Sequence, residues 1–155
     1  MDEDLLDLAQ DLARREAGRP KHASLRRAAN AAYYAVFHRL ARLCADELVG
    51  WSKGWDVVTP VYRSLDHRAA RRVFERERGR GTEALAELGE IFLVLQEARL
   101  AADYDPQPFA YGRGEVLDLI ESARRALRIL AGLTAETRLR LAVDLVIRPR
   151  QHGST

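Results

Sequence analysis

The sequence has little cysteine and no long apolar run. Cys44 is the only cysteine among 155 residues, so the chain cannot form an internal disulfide. Its place between Leu43 and Ala45 in a helical pattern favours a small buried side chain over a nucleophile. No run of about eighteen apolar residues is present, and the acidic N-terminus lacks a signal-peptide pattern. We therefore expect a cytoplasmic protein with no membrane contact.

Glycine and proline are also scarce, at ten and five residues, and most of them lie at a few break points. Alanine, leucine, arginine and glutamate dominate the remainder, which favours helices over strands. The length suits one hydrophobic core and is too short for two ordinary domains. We predict an all-α fold: an antiparallel bundle of four main helices plus short flanking helices. One domain should span residues 1–148, followed by a disordered tail over 149–155.

Apolar residues recur at helical spacing along most of the chain. Thr59 before Pro60, and later Thr134, have the residue types that begin helices. Gly50 should end the longest helix. The spacing predicts helices over 2–17, 23–49, 60–78, 82–103, 115–131 and 134–146.

The formal charge of +2 is too small for the whole chain to attract nucleic acid strongly. A local row of arginines in the third predicted helix includes Arg68 and Arg72, four residues apart on one helix face. This row either contacts RNA or is a solvated face whose charge nearby glutamates balance. The four histidines lack the spacing of a metal site, and the glycine-containing stretches follow no predicted strand. We expect no metal and no cofactor.

Polar and aromatic side chains align on one face of the second predicted helix. Arg27, Tyr34 and His38 share this face, and Asn30 joins it through Tyr34 and His38. Such a stripe could line a cleft in which a ring stacks on a base and an arginine meets a phosphate. It could equally be a helix interface satisfied by a few hydrogen bonds.

Two motifs resemble one known family. The segment LRRAANAAYYAVFHRL covers residues 25–40, and LQEARLAADYDP covers residues 95–106. Both resemble the helix cores of small bacterial proteins of the HEPN superfamily (higher eukaryotes and prokaryotes nucleotide-binding), over about residues 23–130. The resemblance implies a helical bundle, a homodimer that acts on RNA or nucleotides, and a toxin–antitoxin or defence-type system. It also implies a nucleotidyltransferase antitoxin as a partner.

The chain departs from the catalytic pattern of this family, in which an arginine is followed four to six residues later by histidine. Arg99 fits the arginine position, but Tyr104 stands five residues on, between Asp103 and Asp105. Removing the proton of a ribose hydroxyl needs a base that titrates near neutral pH, whereas tyrosine titrates near 10. His38 is the substitute base if the helices bring it near Arg99. Alternatively, Tyr104 accepts AMP from the partner enzyme, or Arg99 simply pairs with Asp103 one turn later.

The resulting hypothesis is a HEPN-like homodimer that binds RNA or nucleotides, with weak metal-independent ribonuclease activity left open. The alternative is a catalytically inactive helical partner or regulatory subunit of a nucleotidyltransferase. Both hypotheses require the second helix and the end of the fourth to face each other across one pocket. The catalytic candidates are Arg99, His38 and Tyr104, and the RNA- or nucleotide-binding candidates are Asn30, Tyr34, Asp103, Arg68 and Arg72.

Overall fold

The computed structural model describes residues 1–50 and 52–147, and these residues form seven α-helices and no strand. The predicted all-α fold is therefore confirmed. The predicted tail at 149–155 lies outside the described residues. None of the helices among them is both long and apolar enough to cross a membrane. The helices are α1 (Asp2–Ala13), α2 (His22–Leu48), α3 (Trp55–Ser64), α4 (His67–Arg80), α5 (Glu83–Tyr104), α6 (Arg113–Gly132) and α7 (Ala135–Val146).

The long helix α2 is the centre of the bundle and packs against α1, α3, α5, α6 and α7. Its predicted apolar stripe is buried, from Leu25 through Val36 to Leu43. Helix α2 ends at Leu48, two residues before the predicted break at Gly50, whose φ of +94° is a left-handed conformation that favours glycine. Cys44 is buried in this stripe, and burial raises the pKa of its thiol to about 12. Its predicted role as a small buried side chain is confirmed.

The single helix predicted over 60–78 is wrong, because the structure has two helices there. Leu65 adopts an extended conformation between them, and Asp66 begins α4 by accepting a 2.8 Å hydrogen bond from the Ala69 amide. The predicted N-cap at Thr59 is also wrong, because α3 begins at Trp55 and contains Pro60. The carboxylate of Asp66 offers the chain a new helix start, which outweighs the continuous apolar spacing.

The first helix is shorter than predicted, ending at Ala13 rather than near residue 17. Arg113 explains this end, because its guanidinium donates hydrogen bonds to the carbonyls of Ala13, Glu16 and Gly18. These contacts satisfy carbonyl groups that a helix end leaves without partners. At the start of α7, Thr134 accepts a hydrogen bond from the Thr137 amide, which confirms the predicted cap.

Candidate functional site

The C-terminal end of α5 faces the middle of α2, as the sequence predicted. The side-chain amide of Asn30 donates a 2.6 Å hydrogen bond to Asp103, and Arg99 Nη2 donates a 3.1 Å hydrogen bond to the Tyr34 hydroxyl. Arg99 Nε lies 3.0 Å from Asp103 Oδ2 in an ion pair one helical turn apart. The predicted Arg99–Asp103 pairing is thus confirmed. We call Asn30, Tyr34, Arg99, Asp103 and Tyr104 the α2–α5 cleft.

Three tyrosine rings surround the guanidinium of Arg99. Its Cζ atom lies 5.6 Å from the ring centroids of Tyr34 and Tyr104 and 5.7 Å from that of Tyr33. A cation over an aromatic face gains about 0.5–2 kcal/mol, more when water is excluded. The Arg99 side chain is only 12% exposed, whereas Tyr104 is 70% exposed. The cleft therefore holds a nearly buried positive charge beside one ring that is open to solvent.

Two polar atoms of this cleft are buried without a hydrogen-bond partner: Arg99 Nε and Asn30 Oδ1. The Nε–H of Arg99 is close to Asp103 but is not directed at it in hydrogen-bonding geometry. Burial disfavours the charge on Arg99, but the contacts with Tyr34, Asp103 and Tyr104 outweigh burial and raise its pKa. Arg99 Nε is thus ion-paired with Asp103 without hydrogen-bond geometry, and Asn30 Oδ1 is a buried acceptor without a hydrogen-bond partner, which is rare in proteins.

Arg26 fixes the end of α5 on which Asp103 and Tyr104 lie. Its guanidinium donates to the carbonyls of Ala101 and Ala102 at 3.1 and 2.8 Å, and to that of Gln107 at 2.5 Å. Its Cζ also lies 5.3 Å from the centroid of the Phe109 ring. The last carbonyls of a helix lack partners within the helix, so these bonds stabilise the end of α5. Sequence reasoning missed Arg26, because nothing local distinguishes it from Arg27.

His38 does not contact Arg99 directly but reaches the cleft through Tyr34. Its ring centroid lies 5.8 Å from that of Tyr34, and its Nδ1 is 2.9 Å from the Tyr62 hydroxyl. His38 also lines a cavity between α2 and α3. The predicted proximity of His38 to Arg99 is therefore indirect, with Tyr34 touching both.

Sequence reasoning missed a second histidine, His67, at the first position of α4. Its Nδ1 lies 2.6 Å from the hydroxyl of Tyr33, and its ring stacks on Phe37 with centroids 4.2 Å apart. Burial lowers the pKa of His67, and the positive charge of Arg99 lowers it further. No local motif singles out this histidine, because its partners come from α2 and α5.

A chain of hydrogen bonds joins Gln96, Tyr33 and His67. Gln96, which is buried, donates from Nε2 to both the Tyr33 hydroxyl and the His67 carbonyl, at 3.3 and 2.9 Å. Burial raises the pKa of Tyr33 to about 12, so this residue keeps its hydroxyl proton. The Tyr33 hydroxyl and His67 Nδ1 share one hydrogen bond, in which the tautomer of His67 sets the donor. The lowered pKa of His67 favours the neutral ring within this network.

The structure does not bring Arg68 and Arg72 into the cleft. Both are exposed on α4, and no hydrogen bond or ion pair among the described residues joins them to α2 or α5. Arg71, between them in sequence, instead turns toward α5 and donates to Gln96 at 3.3 Å. Whether Arg68 and Arg72 contact RNA stays a prediction.

Comparison with protein-family models, curated proteins and solved structures finds no match to this chain.

Proposed function

We propose that this chain is a HEPN-like protein that binds RNA or a nucleotide in the α2–α5 cleft. It would act as a homodimer within a toxin–antitoxin or defence-type system. The observation that carries the proposal is the guanidinium of Arg99, nearly buried among three tyrosine rings with the carboxylate of Asp103 as its ion-pair partner at 3.0 Å. A nearly buried arginine that holds one carboxylate can exchange it for another anionic oxygen, and phosphate is the anion that nucleic acids present.

The groups around Arg99 match the other parts of a ribonucleotide. The unpartnered Oδ1 of Asn30 can accept a hydrogen bond from a ribose hydroxyl. Tyr104, open to solvent, offers a ring on which a base can stack. Phosphate would take the place of Asp103 beside Arg99, so the ion pair keeps the cleft neutral until a ligand arrives.

Strong ribonuclease activity is not part of the proposal. Nδ1 of His67 is hydrogen-bonded to Tyr33 and Nδ1 of His38 to Tyr62, so neither of these nitrogens is free to take a proton from a ligand. His38 remains the best available proton acceptor through its other ring nitrogen. Any metal-independent cleavage should therefore be weak and should depend on His38.

A second function is supported by the exposure of Tyr104. Its hydroxyl lies on a ring that is 70% exposed, at a helix end, with Asp103 and Asp105 on either side. A nucleotidyltransferase partner could reach this hydroxyl, which would attack the α-phosphorus of ATP and displace pyrophosphate. In that case the chain is an inactive helical partner, and the cleft presents an acceptor tyrosine.

The test is binding of fluorescently labelled RNA, measured by anisotropy, to the wild-type chain and to Arg99→Ala. The matched control is Arg140→Ala. Arg140 also forms an ion pair with an acid one helical turn away, but its side chain lies exposed on α7. We expect Arg99→Ala to abolish most of the binding and Arg140→Ala to preserve it. Equal binding by both variants would refute the proposal. The same RNA, incubated with wild type and His38→Ala, tests for cleavage.

A further inference from the structure

A second concave site adjoins the α2–α5 cleft. A cavity of about 460 Å³ lies between the start of α1, the middle of α2 and helix α3. His38 forms its boundary with the cleft, because the His38 ring contacts Tyr34 at a centroid distance of 5.8 Å. Cavities of this size hold small organic ligands. The remaining lining includes Asp2, Arg42, Trp55, Thr59 and Tyr62.

Aromatic rings form much of the wall of this α3 cavity. The rings of His38 and Tyr62 are within 16° of parallel, with centroids 6.2 Å apart, and the 2.9 Å hydrogen bond between them fixes their orientation. Trp55 contributes a large indole that is 72% exposed. Flat rings with exposed faces favour a planar, aromatic ligand.

Two charged side chains lie in this wall, the guanidinium of Arg42 and the carboxylate of Asp2, and the carboxylate is the acceptor. Asp2 is buried, and its ion pair with Arg39 is long, at 3.9 Å. A carboxylate accepts hydrogen bonds at two oxygens and donates none. It therefore complements an edge that presents two adjacent N–H donors. Guanine presents such an edge through its ring N1–H and its exocyclic amino group, whereas adenine has only an amino group beside an acceptor nitrogen.

We propose that the α3 cavity binds a guanine base, with Asp2 accepting from its edge and Trp55 or Tyr62 stacking on its face. The inference rests on the proposed function, because the base would belong to the nucleotide or RNA strand whose phosphate contacts Arg99. Tyr34 and His38 lie between the two sites, since Tyr34 contacts both Arg99 and the His38 ring. The chain thereby prefers ligands that contain guanosine.

The experiment compares binding of guanosine monophosphate and adenosine monophosphate to the full chain by isothermal titration calorimetry. The two probes carry the same ribose and phosphate, so their affinity ratio isolates the base. We expect guanosine monophosphate to bind about tenfold more tightly, as a two-bond base contact gives. Asp2→Asn should reduce the ratio toward one. Asp4→Asn, in the same helical turn with a side chain that is 89% exposed, should leave the ratio unchanged.

Trp55→Ala is a second variant, and the chain should still fold because this position is exposed. It should weaken the binding of both nucleotides. An equal affinity for the two nucleotides, or a ratio that Asp2→Asn leaves intact, would overturn the guanine assignment. The ratio should persist in Arg99→Ala although both affinities fall. A guanine preference without any effect of Arg99→Ala on nucleotides or RNA would uphold the cavity and refute the proposed function. RNA binding that requires Arg99 but shows no guanine preference would uphold the proposed function and refute the guanine site in the cavity.

Discussion

Replacing Asp103 by asparagine should strengthen RNA binding. Asp103 holds the guanidinium of Arg99 at 3.0 Å, so a phosphate must displace a carboxylate before it can pair with that arginine. At 3.0 Å the gross attraction is about 5 kcal/mol for an effective dielectric constant near 20. Both side chains are partly exposed, and such pairs retain about 1 kcal/mol of net stabilisation. Asparagine keeps the size of the side chain and an oxygen for the 2.6 Å bond from Asn30.

Removing this competition should lower the Kd for RNA about fivefold, the equivalent of about 1 kcal/mol. The matched control is Asp105→Asn, which changes the net charge equally but has no ion pair to Arg99. In anisotropy titrations at one salt concentration, Asp103→Asn should increase the affinity for RNA more than Asp105→Asn does. Thermal unfolding should show a lower Tm for Asp103→Asn, because Arg99 loses its counter-charge. Weaker RNA binding, or equal gains in the two variants, would refute the reasoning.

Three further predictions concern the residues that support the cleft. Arg26→Ala should lower the free energy of unfolding by about 2–3 kcal/mol, since charged hydrogen bonds to three carbonyls are lost. Urea denaturation checks this, with Arg27→Ala at an exposed position as the control. Equal losses of stability in the two variants would contradict the prediction. Tyr33→Phe should raise the pKa of His67, because we infer that the hydroxyl donates to Nδ1 and so favours the neutral ring; an NMR titration showing a fall would mean that the ring donates instead. The lowered pKa of His67 means that the unfolded chain binds more protons, so stability should be complete above about pH 6.5 and fall as the pH drops below it. Replacing His67 by Gln should reduce that fall, and an unchanged pH profile would exclude His67 as its source.

Much of the fold follows from local sequence signals, because helix positions depend on apolar spacing and on break residues. Helix α2 ends two residues before Gly50, and Thr134 begins α7 where the sequence predicts. The break between α3 and α4 was missed because apolar residues continue across it, although Asp66 has the residue type of an N-cap. The early end of α1 depends on Arg113, about a hundred residues away, which no local pattern reveals.

The cleft was predictable only in part. Helical spacing placed Arg99 beside Asp103, and the resemblance of two motifs suggested that Asn30 and Tyr34 would meet them. Nothing in the spacing indicated His67, whose partners come from two other helices. Such contacts depend on how helices cross and not on the periodicity within any one helix.

We propose centrally that the Nε–H of Arg99, which lies 3.0 Å from Asp103, receives a phosphate oxygen in place of that carboxylate. The most direct measurement is the NMR resonance of that Nε–H, assigned by its absence in Arg99→Lys, during titration with a short RNA. A new hydrogen bond should move this proton downfield and slow its exchange with water as the RNA saturates the protein. An Nε–H signal that stays in place while the RNA binds would contradict the claim.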